Sequence, residues 1–162
     1  MTRPPRPLVL GVDPGPVPGV ALRRPLGDLE VLQVSPGTLE LVVRALVADA
    51  PPAPYGGPNA VLAVEKFVVG RRATRSATPA AGALTRNQIG ALEALARELG
   101  IPVFLRSASE VKPWSTDARL DAVGALIKGM THGRDAARHA LFCSVHDCGY
   151  PDPLSRSPRT TS

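Results

Sequence analysis

The stretch Leu8-Val9-Leu10-Gly11-Val12-Asp13-Pro14-Gly15 decides how this chain is read. An apolar run bounded by turn residues reads as a strand buried in a core. A side chain at the exit of such a strand is held rigidly without being entombed. Asp13 occupies that exit, Glu65 occupies the same place after Val61-Leu62-Ala63-Val64, and a third acid appears in His132-Gly133-Arg134-Asp135. If the three acids meet in one cleft, each close pair repels by roughly 1 to 4 kcal/mol at the effective dielectric of a protein surface. A bound cation relieves that repulsion. Carboxylate oxygens suit Mg²⁺ or Mn²⁺, and two such ions about 3.5 to 4 Å apart are the usual machinery for in-line displacement at a phosphodiester.

Outward from this stretch, Gly19 to Leu22 reads as a second strand and Asp28 to Val34 as a third, joined by hairpins and therefore antiparallel. Ser35-Pro36-Gly37 opens a helix through about Ala50, with Leu39, Val42, Val43, Leu46 and Val47 at helical spacing. Residues 51 to 58 are a Pro- and Gly-rich loop. Val61 to Phe67 is the next strand, followed by a basic loop through Ser76. Thr78-Pro79 supplies an N-cap and a first-turn proline for a helix whose Ile89, Leu92, Leu95 and Leu99 share one face, ended by Gly100. Val103 to Leu105 is a further strand. Helical sequence from Ala108 breaks at Pro113 and resumes near Asp117, with Asp117 as its N-cap and Asp121 facing solvent. A last helix runs from about His132 to His146. This order predicts an α/β protein with a mixed five-stranded sheet flanked by helices, the ribonuclease H-like fold.

A chain of 162 residues fits one domain, expected over 1–150, with a disordered, Pro-, Ser- and Arg-rich tail over 151–162. No run approaches the roughly 20 apolar residues that span a bilayer, and the basic N-terminus lacks a secretory pattern. No membrane partner and a cytoplasmic location are expected. The two cysteines, Cys143 and Cys148, are expected as free thiols. His139, Cys143, His146 and Cys148 match no common zinc spacing.

The formal charge is +5, and its placement is informative. Between Lys66 and Leu92 stand Lys66, Arg71, Arg72, Arg75 and Arg86 with no acid. Such a patch neutralises phosphates, although a solvated loop in an Arg-rich protein explains it equally well.

The opening Leu10-Gly11-Val12-Asp13-Pro14-Gly15 with Gly19-Val20-Ala21, then Val64-Glu65, Ser109-Glu110-Val111-Lys112 and His132-Gly133-Arg134-Asp135-Ala136-Ala137 resemble, in order and spacing, the RuvC-type Holliday junction resolvases from Leu8 to about Cys148. The resemblance implies a homodimer that nicks a four-way DNA junction at two symmetry-related strands, leaving 5′-phosphate ends. It implies a two-metal Mg²⁺ or Mn²⁺ site in which Asp13 bridges the ions between Glu65 on one side and Asp135 with His132 on the other. Lys112 would contact the phosphate backbone. Arg71, Arg72, Arg75 and Arg86 would guide DNA without reading sequence, and Phe67 would stack on an unpaired base unless it is a core residue. His132 stands where the family often has Asp, which favours Mn²⁺ because imidazole is the softer ligand. Residues 113–117 differ from the family's Gly-containing loop, so cleavage-sequence preferences do not carry over.

Each motif has an ordinary alternative. Asp-Pro-Gly is commonly only a turn, and an i, i+3 pair such as His132 and Asp135 shares a helix face whatever its role. Their conjunction is what points to chemistry. A nucleotide-binding protein of related fold is disfavoured as a reading because Pro14, Pro16 and Pro18 remove backbone donors that a phosphate loop needs. A non-catalytic junction-binding protein, or a same-fold nuclease acting on flaps, forks or RNA, stays open. So does the choice between a bacterial and a phage origin.

Overall fold

The structure is a computed structural model that describes residues 4–68 and 78–155. Five strands, β1 (Leu8–Asp13), β2 (Gly19–Arg23), β3 (Glu30–Gln33), β4 (Ala60–Glu65) and β5 (Val103–Arg106), form one sheet in the order β3-β2-β1-β4-β5. The hairpin-joined strands are antiparallel, and β1, β4 and β5 are parallel. Among the described residues, five α-helices accompany them: α1 (Leu39–Ala48), α2 (Pro79–Leu99), α3 (Ala108–Val111), α4 (Asp117–Asp121) and α5 (Thr131–His146). This is the mixed five-stranded sheet with flanking helices that the element order predicts. No helix among the described residues is long and apolar enough to cross a membrane.

Alternation along the strands divides the core into two layers. Leu8, Leu10 and Val12 of β1 pack with Leu62 and Val64 of β4 against Leu39 and Val43 of α1 and Leu92 and Leu95 of α2. Val9, Val61 and Ala63 face the other way, toward Ala136, Ala137 and Ala140 of α5 and Leu120 of α4. Each fully buried Leu or Val contributes about 1.5 to 3 kcal/mol, so the central strands are committed on both faces. By the same period of two, Asp13 and Glu65 belong to the face that α5 covers.

The register brings these two acids together. β1 and β4 run in parallel with Val12 opposite Val64, so both chains leave the sheet at the same edge. α5 then presses unusually close. A Cβ on Gly11 would stand 2.0 Å from the Ala136 carbonyl oxygen, and one on Gly19 would stand 2.0 Å from that of His132. Only glycine lets the helix backbone lie directly on these strands, and this seats the first turns of α5 over the end of β1.

Several boundaries differ from the sequence expectation. β3 begins at Glu30 because the Leu29 amide is bonded to the Val123 carbonyl, drawing Leu29 into the α5-side core. A short 3₁₀ turn over Pro36–Thr38 precedes α1. β4 ends at Glu65, which leaves Phe67 beyond the sheet rather than in it. Thr78 caps α2 by accepting from the Ala81 amide at 3.2 Å, and Gly100 closes the helix at φ 67°, both as the sequence signals. Thr116, not Asp117, precedes α4; Asp117 is its first residue and pairs with Arg138. Of the segment expected to be a disordered tail, Pro151–Ser155 is described, with Asp152 accepting two bonds from Arg119. Residues 156–162 lie outside the described residues.

Candidate metal centre and DNA cleft

Asp13, Glu65, His132 and Asp135 line one cleft of about 600 Å³. The two acids at the strand exits come from the parallel register, and the other pair comes from the first turns of α5. Residues 132, 135 and 139 recur at helical spacing, so the same stripe of α5 also carries His139 toward the sheet. Lys66, Phe67, Gly82, Ser107 and Ser109 also line the cleft.

Each acid is engaged by a basic side chain. His132 Nδ1 donates to Asp13 Oδ2 at 2.9 Å. His139 Nε2 donates to Glu65 Oε2 at 3.2 Å, and Lys112 Nζ donates to Asp135 at 3.1 Å. Arg138 Nε stands 3.7 Å from the same Asp135 carboxylate. Asp13 is 8% exposed, and its carboxyl is pushed up to about 6, first by burial and then by the charge of Glu65, with Asp135 adding to the effect and His132 opposing it. Burial and neighbouring negative charge both disfavour the ionised form.

The donor chemistry suits a divalent cation. A buried carboxyl held near two further acids is an unfavourable grouping that added positive charge stabilises, and oxygen donors with one imidazole match Mg²⁺ or Mn²⁺. Nδ1 of His132 is engaged by Asp13, so Nε2 is the ring nitrogen left for a cation. Among the described residues no three acid, His or Cys side chains form a ready-made metal-holding group. The side chains share a cleft, and each carboxylate accepts a hydrogen bond from within the chain.

The remaining expected site residues fall as follows. Lys112 lies at the rim beside Asp135, with its side chain 46% exposed, at the end of the α3 turn. Phe67 is half-buried on the cleft wall and not in the core, and the Arg86 guanidinium lies over its ring at 5.4 Å. Arg71, Arg72 and Arg75 lie outside the described residues. The residues considered for zinc are dispersed. His139 is bonded to Glu65, His146 stacks on Phe142, and Cys143 and Cys148 are free thiols.

Two site residues escape a reading of the sequence alone. Gln88 is 8% exposed; its amide donates to the Gly15 carbonyl at 3.0 Å and accepts from the Gly15 amide at 2.6 Å. It clamps the turn that follows Asp13 onto α2. Its signal is a polar residue four before Leu92 on an apolar stripe. His139 has the same signature, a polar residue on the small-residue face of α5.

Sheet order, the parallel pairing of β1 with β4 and the position of α5 define the class, a ribonuclease H-like fold. More particularly the chain has a RuvC-like fold. It is similar to Thermus thermophilus RuvC in complex with a Holliday junction substrate, with a TM-score of 0.56, 20% identity, and 85% of this chain and 92% of that chain covered. A second Thermus thermophilus RuvC structure matches with a TM-score of 0.54 and 21% identity, over 85% of this chain and 93% of that chain. No protein-family model matches the sequence, and no curated protein matches it.

Proposed function

We propose that this chain is a divalent-metal-dependent, structure-selective endonuclease that resolves four-way DNA junctions as a homodimer. The observation that carries the reading is the convergence of Asp13, Glu65, Asp135 and His132 in one cleft of a RuvC-like fold. These four side chains would hold Mg²⁺ or Mn²⁺. When bound, the metal would make a water more acidic and stabilise negative charge on the leaving 3′ oxygen. In hydrolysis the water oxygen bonds to phosphorus, the bond from phosphorus to the 3′ oxygen breaks, and that oxygen gains a proton, leaving a 5′ phosphate.

The chain's own residues have distinct tasks in this reading. Gln88 fixes the backbone after Asp13, so the carboxylate is held in place before DNA arrives. Lys66 on the cleft wall and the exposed Arg86 would neutralise backbone phosphates whatever the base sequence, with Arg71, Arg72 and Arg75 adding charge from the same segment. Phe67 would offer a ring face to an unpaired base, with the Arg86 guanidinium 5.4 Å from its ring centroid. Lys112 would exchange Asp135 for a phosphate oxygen. Two copies related by a two-fold axis would suit a junction of near two-fold symmetry.

A second reading has its own support. Each acid already has a basic partner inside the chain, as a junction-binding protein without catalysis would show. Incubating the protein with a mobile four-way junction, a flap, a fork, a duplex and a structured RNA, with Mg²⁺ or Mn²⁺ and alongside Asp13→Asn, separates the two. Paired nicks in the junction that Asp13→Asn abolishes support resolution. Binding without cutting in either metal establishes the architectural reading, and preferential cleavage of flaps, forks or RNA overturns the substrate while keeping the chemistry.

A further inference from the structure

His139 is 2% exposed on a face of α5 otherwise built from Ala136, Ala137, Ala140 and Cys143. An alanine or leucine there would bury no polar atom, whereas a buried imidazole costs free energy unless its nitrogens are bonded. Its Nε2 reaches across the interface to Glu65 Oε2 at 3.2 Å. Glu65 is the last residue of β4, where the Lys66 amide makes a sheet bond to the Arg106 carbonyl and the chain then departs. A Glu side chain at such an end loses rotamer freedom when it is held in one orientation. Asp13 and Asp135 are shorter and are held from other directions by His132 and by Lys112.

We infer that His139 is a positioning residue for Glu65. It ties down one carboxylate oxygen from beneath and leaves the other for a divalent cation in the cleft. The inference rests on reading that cleft as a cation site. It adds an outer partner to the four side chains that would touch the metal, and such partners commonly govern affinity by about 10- to 100-fold.

The test compares wild type, His139→Leu, His139→Gln and Asp13→Asn. Leucine keeps apolar bulk without a donor, and glutamine places an amide N–H close to where Nε2 stood. Mn²⁺ binding to the metal-free proteins is followed by electron paramagnetic resonance, with thermal melting as the check on folding and junction nicking resolved into kcat and KM. His139→Leu is expected to bind Mn²⁺ about 10- to 100-fold more weakly, with His139→Gln recovering to within about threefold of wild type. In nicking, kcat falls and KM for DNA holds. A His139→Leu protein that melts earlier but binds Mn²⁺ like wild type overturns the inference and makes His139 a core residue. If Asp13→Asn still loses Mn²⁺ in that case, the cation site stands without it. If wild type binds no Mn²⁺, the cation reading fails and this role with it.

Discussion

His132 Nδ1 lies 2.9 Å from Asp13 Oδ2, joining the first turn of the last helix to the end of the first strand across 119 positions of sequence. The bond exists because Gly19 lets α5 settle on β2 at the His132 carbonyl. It partly offsets the upward push that burial and Glu65 exert on Asp13.

The titration of Asp13 predicts how the metal-free protein responds to pH. Its folded value of about 6 lies above the ordinary 3.8. The neutral carboxyl is therefore the form the fold favours. This contribution is complete below about 3.8 and is lost as pH rises through about 6, on the order of 3 kcal/mol at full ionisation. The melting temperature of wild type minus that of Asp13→Asn should fall between pH 4 and pH 7. A difference that stays flat with pH contradicts this assignment.

Metal should reverse that loss. At pH 7.5, Mg²⁺ or Mn²⁺ at 100 times its dissociation constant should stabilise wild type by about 2.7 kcal/mol. Asp13→Asn and Asp135→Asn should show little of the shift. Calorimetry with and without chelator measures it, and equal shifts in all three proteins would place the ion elsewhere.

Lys112 and Asp135 form a partly exposed ion pair. Such pairs are worth about 0 to 1 kcal/mol. Lys112→Met should leave melting almost unchanged while junction nicking drops at least about a hundredfold, the lower end for a residue that stabilises transition-state charge. Loss of stability in step with loss of cutting would make the pair structural instead.

Gly11 and Gly90 should respond oppositely to alanine. At Gly11 the new Cβ meets the Ala136 carbonyl at 2.0 Å, so α5 must lift. Destabilisation at or beyond the upper end of about 1 to 3 kcal/mol is expected, and His132 and Asp135 move with the helix, so activity falls too. At Gly90, exposed inside α2, nothing lies within 4 Å of the added Cβ, and a gain of about 0.5 to 1 kcal/mol is expected. Chemical denaturation of the two variants decides between these signs.

The local signals were legible because they are local. The Leu8–Asp13 run, the Thr78-Pro79 start and Gly100 stop of α2, and the helical spacing of His132 and Asp135 all follow from backbone preferences and hydrophobic period. They gave the element order, and the element order gave the sheet. The limits of β3 and β4 were less legible, because Leu29 exchanges a sheet bond for the Val123 carbonyl and because pairing with β5 stops where Arg106 does.

What the chain's linear order determined was the set of strands and helices and the presence of acids at their ends, since periodicity and turn chemistry act over a few residues. What only the tertiary structure decided was which groups face each other: His139 with Glu65, Gln88 with Gly15, Lys112 with Asp135 and Arg86 with Phe67. The first two pairings each span more than 70 positions. They depend on parallel register and on how closely glycine lets one helix approach a sheet, quantities set by packing across the whole core and carried by no single segment.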